Sequence, residues 1–420
     1  MTSVASEPWF QNPALQRILE MLNGDGGETR VVGGAVRNAL MGVAVGDIDI
    51  ATTLTPSAVV KRANAEGIKV VPTGIEHGTV TLVVAGEGFE VTTLRRDVET
   101  DGRRAKVAFG TDWKMDAERR DLTINALYAD RTGMVIDLVE GLPDIRSRTV
   151  RFIGDATKRI AEDYLRVLRF FRFFAYYGSG RPDADGLRAV TRAKHKLKTL
   201  SAERIWSELK KLLSAPDPSR ALLWMRQTGV LSEILPESEK WGIDAIHGLM
   251  ETEQALNWDP DPLLRLAAII VDDGARIDML SKRLRMSNAQ AARLKAWAAA
   301  PLPPDGVSDV GFDRMLYQHG VVGMAMRTKL ALAAARAKVA QDRSMMSKAA
   351  RLTTLLMRCE DYERPLFPLT GKDVLAAGVP AGQRVGEILA SLETFWIERN
   401  FTPDRALLVA RLKALAGEGP

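Results

Sequence analysis

The clearest chemical content of this sequence lies in two short stretches, Gly33-Gly34-Ala35-Val36-Arg37 and Gly46-Asp47-Ile48-Asp49-Ile50. Ile48 and Ile50 alternate with the acids, so the second stretch predicts a strand, on which residues two apart point the same way. Two carboxylates on one face repel unless a cation sits between them, and Mg²⁺ takes such hard oxygen ligands. Gly33 and Gly34 let backbone N–H groups approach a phosphate with no Cβ in the way, and Arg37 adds a fork for its oxygens. Together they predict a triphosphate cradle beside a metal pair, with Asp47 and Asp49 as Mg²⁺ ligands. That is equipment for phosphoryl or nucleotidyl transfer.

Further along, Arg119-Arg120-Asp121-Leu122-Thr123-Ile124-Asn125 groups a fork at Arg120, an acceptor at Asp121 and an amide at Asn125. The set suits a ribose hydroxyl and a phosphate, while Asp121 can also serve as a helix cap or first-turn acid. In Glu162-Asp163-Tyr164-Leu165-Arg166-Val167-Leu168-Arg169-Phe170-Phe171-Arg172, the spacing puts Asp163, Arg166 and Arg169 on one helix face, and Arg172 extends the row. A surface ion pair between Asp163 and Arg166 is one reading. The other is a base reader. Cytosine and adenine both show an exocyclic amine donor beside a ring acceptor, whereas uracil and guanine reverse that order. One Asp–Arg pair beside a nucleotide site could accept CTP and ATP and refuse UTP and GTP.

These residues need a scaffold. The pattern predicts a helix from Pro13 to Leu22 and a strand-rich region over 30–140, with runs at Ile68–Val71, Thr79–Val84 and Phe89–Thr93. Between them Pro56–Glu66 reads as a helix, with Thr55 as N-cap and Gly67 as C-cap. The polar stretch Arg95–Glu118 is too long for an ordinary connection and reads as functional or mobile. From Asp155 onward the periodicity is helical: Tyr164–Tyr177, Glu203–Leu213, Val321–Ala340 and a last helix reaching Arg399.

The 420 residues suffice for two or more domains, and 46% hydrophobic residues suit a folded core. No apolar run reaches membrane-spanning length; Leu263 to Val271 is interrupted by Arg265. The N-terminus lacks a basic start and an apolar core, so no secretory signal is expected. The lone Cys359 excludes an internal disulfide and a cysteine zinc site, and four histidines are scattered without ligand spacing. A cytoplasmic protein with no membrane partner is the expectation. Residues 146–220 hold 18 Lys or Arg against 8 Asp or Glu in a chain of net charge +5. This basic middle reads as a polyanion surface, or as a solvated set of basic helices.

In order, Gly33-Gly34-Ala35-Val36-Arg37, Asp47-Ile48-Asp49, Arg119-Arg120-Asp121 through Leu127, and Glu162-Asp163 through Phe173 resemble the bacterial-type (class II) tRNA nucleotidyltransferase and poly(A) polymerase family, most closely its CCA-adding members. Arg204-Ile205-Trp206-Ser207-Glu208-Leu209 is similar to a later helix motif of that family. The resemblance is specific over about 30–215 and diffuse beyond, although 369–386 is similar to a segment of family tails. It implies an α+β fold: a polymerase-β-type nucleotidyltransferase head with a mixed sheet over 1–142, a helical neck with base recognition over 143–215, and a helical body and tail over 216–420 that bind tRNA by its acceptor end and upper half. By matching position, Asp47 and Asp49 would hold two Mg²⁺, with Glu90 as a third catalytic carboxylate. Gly33, Gly34 and Arg37 would meet the triphosphate, and Arg120, Asp121 and Asn125 the nucleotide. Asp163 and Arg166 would template the base, supported by Arg169 and Arg172. The implied activity adds C, C and A to the tRNA 3′ end from CTP and ATP, with pyrophosphate released. Residues 95–118 are similar to the family's flexible loop, associated with the switch from C to A addition.

The sequence departs from the family pattern at Asn38, where an Asp is frequent, and holds no His-Asp phosphohydrolase dyad. Pro72 to Thr79 stands where bacterial poly(A) polymerases carry a basic segment, which favours CCA addition. A-only, CC-only or poly(A) synthesis, and a non-enzymatic RNA-binding protein on an inactive head, remain the alternatives. Gly371, Gly378, Gly382 and Gly386 read equally as phosphate-approaching backbone or as caps and turns.

Overall fold

Helix α1 (Pro13–Leu22) forms where the periodicity places it: Asn12 Oδ1 accepts from the Ala14 N–H at 2.9 Å, Pro13 opens the helix, and Leu15, Ile18, Leu19 and Leu22 bury one stripe. The computed structural model describes residues 2–101, 104–238 and 242–417. The chain divides into two units, Met1–Pro236 and Glu237–Pro420.

In the first unit, β1 (Thr29–Val32), α2 (Gly34–Leu40), β2 (Asp49–Thr52), α3 (Pro56–Ala65), β3 (Lys69–Gly74), β4 (Thr79–Val84) and β5 (Glu87–Thr93) follow in order. As expected, the Thr55 hydroxyl caps α3 through the Ala58 N–H at 3.3 Å, and Gly67 takes φ +67 beyond its end. After β6 (Arg95–Asp101), β7 (Arg104–Phe109) and α4 (Trp113–Glu118), the strands β8 (Leu127–Ala129) and β9 (Val135–Asp137) complete a seven-stranded sheet of order β3-β4-β5-β2-β1-β8-β9. It is mixed: β2 and β5 run parallel and the other pairings are antiparallel.

One expectation changes here, and one polar stretch of the chain takes a definite form. The strand that was to carry both Asp47 and Asp49 starts at Asp49, because pairing with β1 begins at Val32↔Asp49 and with β5 at Asp49↔Glu90. Asp47 and Ile48 lie ahead of any ladder partner, so the shared strand face is lost. The polar stretch Arg95–Glu118 is a separate two-stranded antiparallel hairpin, β6 with β7, followed by α4. Its base is tied to the main sheet, since the Gly110 N–H donates to the Leu94 carbonyl at 2.9 Å.

Helices α5 (Gly141–Ser147), α6 (Ala156–Glu162), α7 (Leu165–Tyr177), α8 (Ala184–Ala193), α9 (Ala202–Leu213), α10 (Ser219–Gln227) and α11 (Val230–Ile234) fill the rest of this unit. On α7, Val167, Leu168, Phe170, Phe171 and Phe174 are buried, and Phe170 stacks on Phe152 with centroids 5.3 Å apart. Truncating Phe170 to Ala would cost about 3–5 kcal/mol. The arginines of α7 are thereby turned from the core, Arg169 toward Asp121 and Arg172 toward Glu208 of α9.

Among its described residues the second unit is helical, from Gly242–Leu256 to Arg405–Gly417. One core gathers Phe312, Leu316, Met324, Leu332, Leu352 and Leu355, and another gathers Val374, Leu392, Trp396 and Leu408. Cys359 belongs to the first of these, and burial pushes its thiol up to about 11, away from the thiolate form.

Candidate active site

Gly33 follows β1 at φ +72, a conformation that suits glycine, and its carbonyl accepts the Arg37 N–H at 3.0 Å to open α2. One turn in, Arg37 projects back over the glycines: a Cβ on Gly34 would lie 3.8 Å from Arg37 Nη2, and one on Gly33 would lie 3.8 Å from Arg120 Nη1. Two guanidiniums thus flank the glycine pair.

Those residues line one cleft of about 580 Å³, together with Asp49, Arg119, Asp121, Asn125, Asp163, Leu165, Arg166, Arg169, Phe173 and Arg204. Every member lies within the first unit. The cleft brings together the predicted Gly33, Gly34, Arg37, Asp49, Arg120, Asp121, Asn125, Asp163, Arg166 and Arg169. Asp47, Glu90 and Arg172 stand outside its lining.

A buried polar chain organises the floor. Arg37 Nη1 donates to Asn125 Oδ1, Asn125 Nδ2 donates to Asp121 Oδ1 at 3.1 Å, and Arg169 Nε donates to Asp121 Oδ2 at 2.7 Å. Burial alone would push the Asp121 carboxyl up. The Arg169 guanidinium, the Asn125 amide and the Leu122 N–H outweigh it and hold the group below the usual carboxylate range. No α-helix starts here for Asp121 to cap: a 3₁₀ turn, Thr123–Asn125, follows with Leu122 ahead of it.

Arg119 and Arg120 are aimed by Asp116, a carboxylate only 1% exposed. It accepts from Arg119 Nε at 2.9 Å, from Arg120 Nη2 at 3.1 Å and from the Tyr128 hydroxyl at 2.8 Å. Burial pushes Asp116 up, but the two arginines and Tyr128 hold it below its ordinary value.

Asp49 stands at the head of β2 in register with Glu90 on β5. Partial burial raises its carboxyl above the ordinary value; the nearby charges of Glu90 and Asp47 raise it further, while Arg120 opposes them. Among the described residues no ready group of three metal-binding side chains is assembled. The crowding of negative charge around Asp49 is still the environment that a hard divalent cation relieves, so Asp49 with Asp47 and Glu90 fits Mg²⁺ in donor chemistry.

The expected Asp163–Arg166 pair is not formed. Asp163 lies between α6 and α7, where its Oδ1 accepts the Leu165 N–H at 3.0 Å and its Oδ2 accepts from Arg204 Nη2 at 2.6 Å. Arg166 instead pairs with Glu162 and donates to the Arg159 carbonyl at 2.7 Å. The reason is geometric: Asp163 is extended at φ −155 ahead of the helix that carries Arg166, so its carbonyl accepts the Arg166 N–H at 3.0 Å while its side chain does not share that helix's face. Arg172 turns to Glu208 of α9 at 2.7 Å, behind the cleft. Arg204, Arg119, Asp116, Glu162 and Phe173 are the residues that sequence reasoning gave no role. Arg204 and Glu208 had a signal: their i,i+4 spacing puts both on one face of α9, and both reach toward acceptors and donors around α7.

Residues 29–151 match the family model of the poly A polymerase head domain, and residues 182–241 match the probable RNA and SrmB-binding site of polymerase A. The mouse mitochondrial CCA tRNA nucleotidyltransferase 1 is 32% identical over 98% of this chain and 93% of its own length. A CCA-adding enzyme of Ligilactobacillus salivarius is 30% identical over 96% of each. The Bacillus stearothermophilus CCA-adding enzyme, solved in complex with CTP, superposes with a TM-score of 0.69 at 26% identity, covering 97% of this chain and 98% of that one. With the cleft's geometry and relatives of this identity along nearly the whole chain, the protein belongs to the family of CCA-adding enzymes, the CCA tRNA nucleotidyltransferases.

Proposed function

We propose that the cleft adds C, C and A to the 3′ end of tRNA from CTP and ATP. The observation that carries this is the meeting of the flanked glycine pair, Asp49 and the Asp163/Arg166 region in one cavity. Gly33, Gly34, Arg37 and Arg120 hold the triphosphate; Asp121 and Asn125 keep Arg37 and Arg169 in place beneath the nucleotide. The oxygen of the tRNA 3′-hydroxyl forms a bond to the α-phosphorus, the bond from that phosphorus to its bridging oxygen breaks, pyrophosphate leaves and the hydroxyl proton passes to solvent.

Asp47 and Asp49, with Glu90 beside Asp49, would hold Mg²⁺. When bound, the metal supplies Lewis-acid stabilisation of the attacking and leaving oxygens. Asp163 presents an acceptor and Arg166 a donor to the base, and Arg172 braces α7 through Glu208. The basic helices of 143–215 and the body and tail over 216–420 carry the tRNA's acceptor end and upper half by backbone contacts, with the head over 1–142 doing the chemistry. No helix is long and apolar enough to cross a membrane among the described residues. A cytoplasmic location is part of this reading and suits the lone buried thiol of Cys359.

The test supplies Mg²⁺, a tRNA transcript ending at its discriminator base, and CTP or ATP singly and together. Two C additions with CTP alone and a third, A, only with both agree with the reading. A long A tail, a stop after C-C, or A alone assigns a sibling specificity. No extension at all returns the protein to tRNA binding without catalysis.

A further inference from the structure

Three guanidiniums crowd one stacked aromatic pair on α7. The Phe173 and Tyr177 rings lie 5.8 Å apart at an interplanar angle of 28°. Arg172 stands 4.3 Å and Arg169 5.3 Å from the Phe173 centroid, while Arg37 stands 4.0 Å from that of Tyr177. Two of these cations are matched by carboxylates: Arg169 by Asp121 at 2.6 Å, and Arg172 by Glu208 at 2.7 Å. Arg37 differs. Although only 7% exposed, it donates to three neutral acceptors: Asn125 Oδ1, Asn38 Oδ1 at 2.8 Å and the Tyr177 hydroxyl at 2.7 Å. Among the described residues no carboxylate pairs with it directly, and Asp121 reaches it through Asn125; the remaining cost of burying the cation is one that an arriving anion relieves.

We propose that Tyr177 is a positioning residue for triphosphate binding: its hydroxyl and ring hold the Arg37 guanidinium over Gly34 with its charge unpaired by a carboxylate and available to phosphate. The phenol does what a carboxylate could not. It fixes the direction of the fork without neutralising it, and its π-face stabilises the charge. The hydrogen bonds of Arg37 go to Asn125, Asn38 and Tyr177 rather than to the base-reading Asp163 and Arg166, so the effect is shared by every nucleotide. Burial lowers the Arg37 pKa and Tyr177 opposes that shift, in keeping with a phenol that supports the charged form.

The inference rests on the nucleotidyltransfer reading, and its test separates the two. Wild-type protein and Tyr177→Phe are assayed on the same tRNA with CTP and with ATP, and with pyrophosphate as inhibitor. Tyr177→Phe keeps the ring and loses the hydroxyl. The expected result is a KM for CTP and for ATP raised about three- to ten-fold, the Ki of pyrophosphate raised in the same proportion, and kcat and the KM for tRNA unchanged. Tyr177→Leu, which loses the ring as well, gives a larger rise in the same three constants. KM and Ki do not depend on the folded fraction, so a loss of stability cannot imitate this pattern. Unchanged nucleotide KM and pyrophosphate Ki in Tyr177→Phe overturn the inference, as does a rise confined to one nucleotide or a fall in kcat alone. Wild-type protein that fails to extend tRNA would instead sink the functional reading.

Discussion

The Asp163 carboxylate is bound to Arg204, 41 residues away, and not to the Arg166 guanidinium three residues on. The acceptor and the donor assigned to the base are therefore each held by a separate partner, Arg204 for one and Glu162 for the other. Asp163→Ala is expected to damage the choice among four triphosphates far more than tRNA affinity, measured by competing nucleotides and by filter binding. Arg204→Met, which frees Asp163 without removing it, should relax the discrimination against UTP and GTP by roughly ten-fold. Normal selection of C and A in Asp163→Ala would remove the templating role.

Asp49 supplies a pH-dependent signature. Its carboxyl is raised in the folded state by partial burial and by Glu90 and Asp47. The folded protein therefore binds its proton more readily than the unfolded chain does. The charged form costs stability above the folded pKa, and that cost vanishes below the unfolded value of about 3.9. Asp49→Asn should thus raise the metal-free melting temperature at pH 7, with a gain that shrinks toward pH 4. Mg²⁺ should stabilise wild type and not this variant. Asp47→Ala should abolish incorporation and leave tRNA affinity in place.

The Asp121–Arg169 pair predicts the opposite slope. Asp121 is held low by Arg169, so its contribution is present above the unfolded carboxylate value and is lost as pH falls through the folded one. Arg169→Met leaves a buried carboxylate without its cation and should cost on the order of 2–3 kcal/mol at pH 7. Urea unfolding at pH 7 and at pH 4 should show the difference from wild type narrowing in acid.

At the foot of the β6–β7 hairpin, Gly78 at φ +86 leaves room for Phe109: a Cβ there would fall 2.8 Å from Phe109 Cε1. Gly78→Ala must displace that ring and with it the hairpin base. C addition should persist while A addition falls by up to roughly 100-fold, as a small misplacement near the reacting atoms can cause. Equal loss of both steps would separate the hairpin from the switch.

Local patterns were readable where local forces decide. The stripe of α1, the Thr55 cap and the glycine at φ +72 before Arg37 each depend on a few neighbouring residues. The first strand of the hairpin gives little signal because Arg95, Asp97, Glu99 and Asp101 are all charged on one alternation and Val98 is the lone apolar residue on the other; Ala105, Val107 and Phe109 of the second strand carry the clearer alternation. A strand through both Asp47 and Asp49 does not form because β pairing with Val32 and Glu90, outside the local sequence, decides where the strand begins. The residues of the cleft were recognisable by type, but their partners were not. Arg204 for Asp163 and Glu208 for Arg172 are tertiary contacts between α9 and the α6–α7 region, and no single window of sequence contains both sides.

Base choice by the cleft alone means that C, C and then A are added with no nucleic-acid template. The most direct test gives wild-type protein a tRNA ending at the discriminator base together with all four triphosphates at equal concentration, and sequences the 3′ ends of the products. The account predicts termini of C-C-A, with extension stopping there and U or G absent. Tails containing U or G, or growth past A, would contradict it.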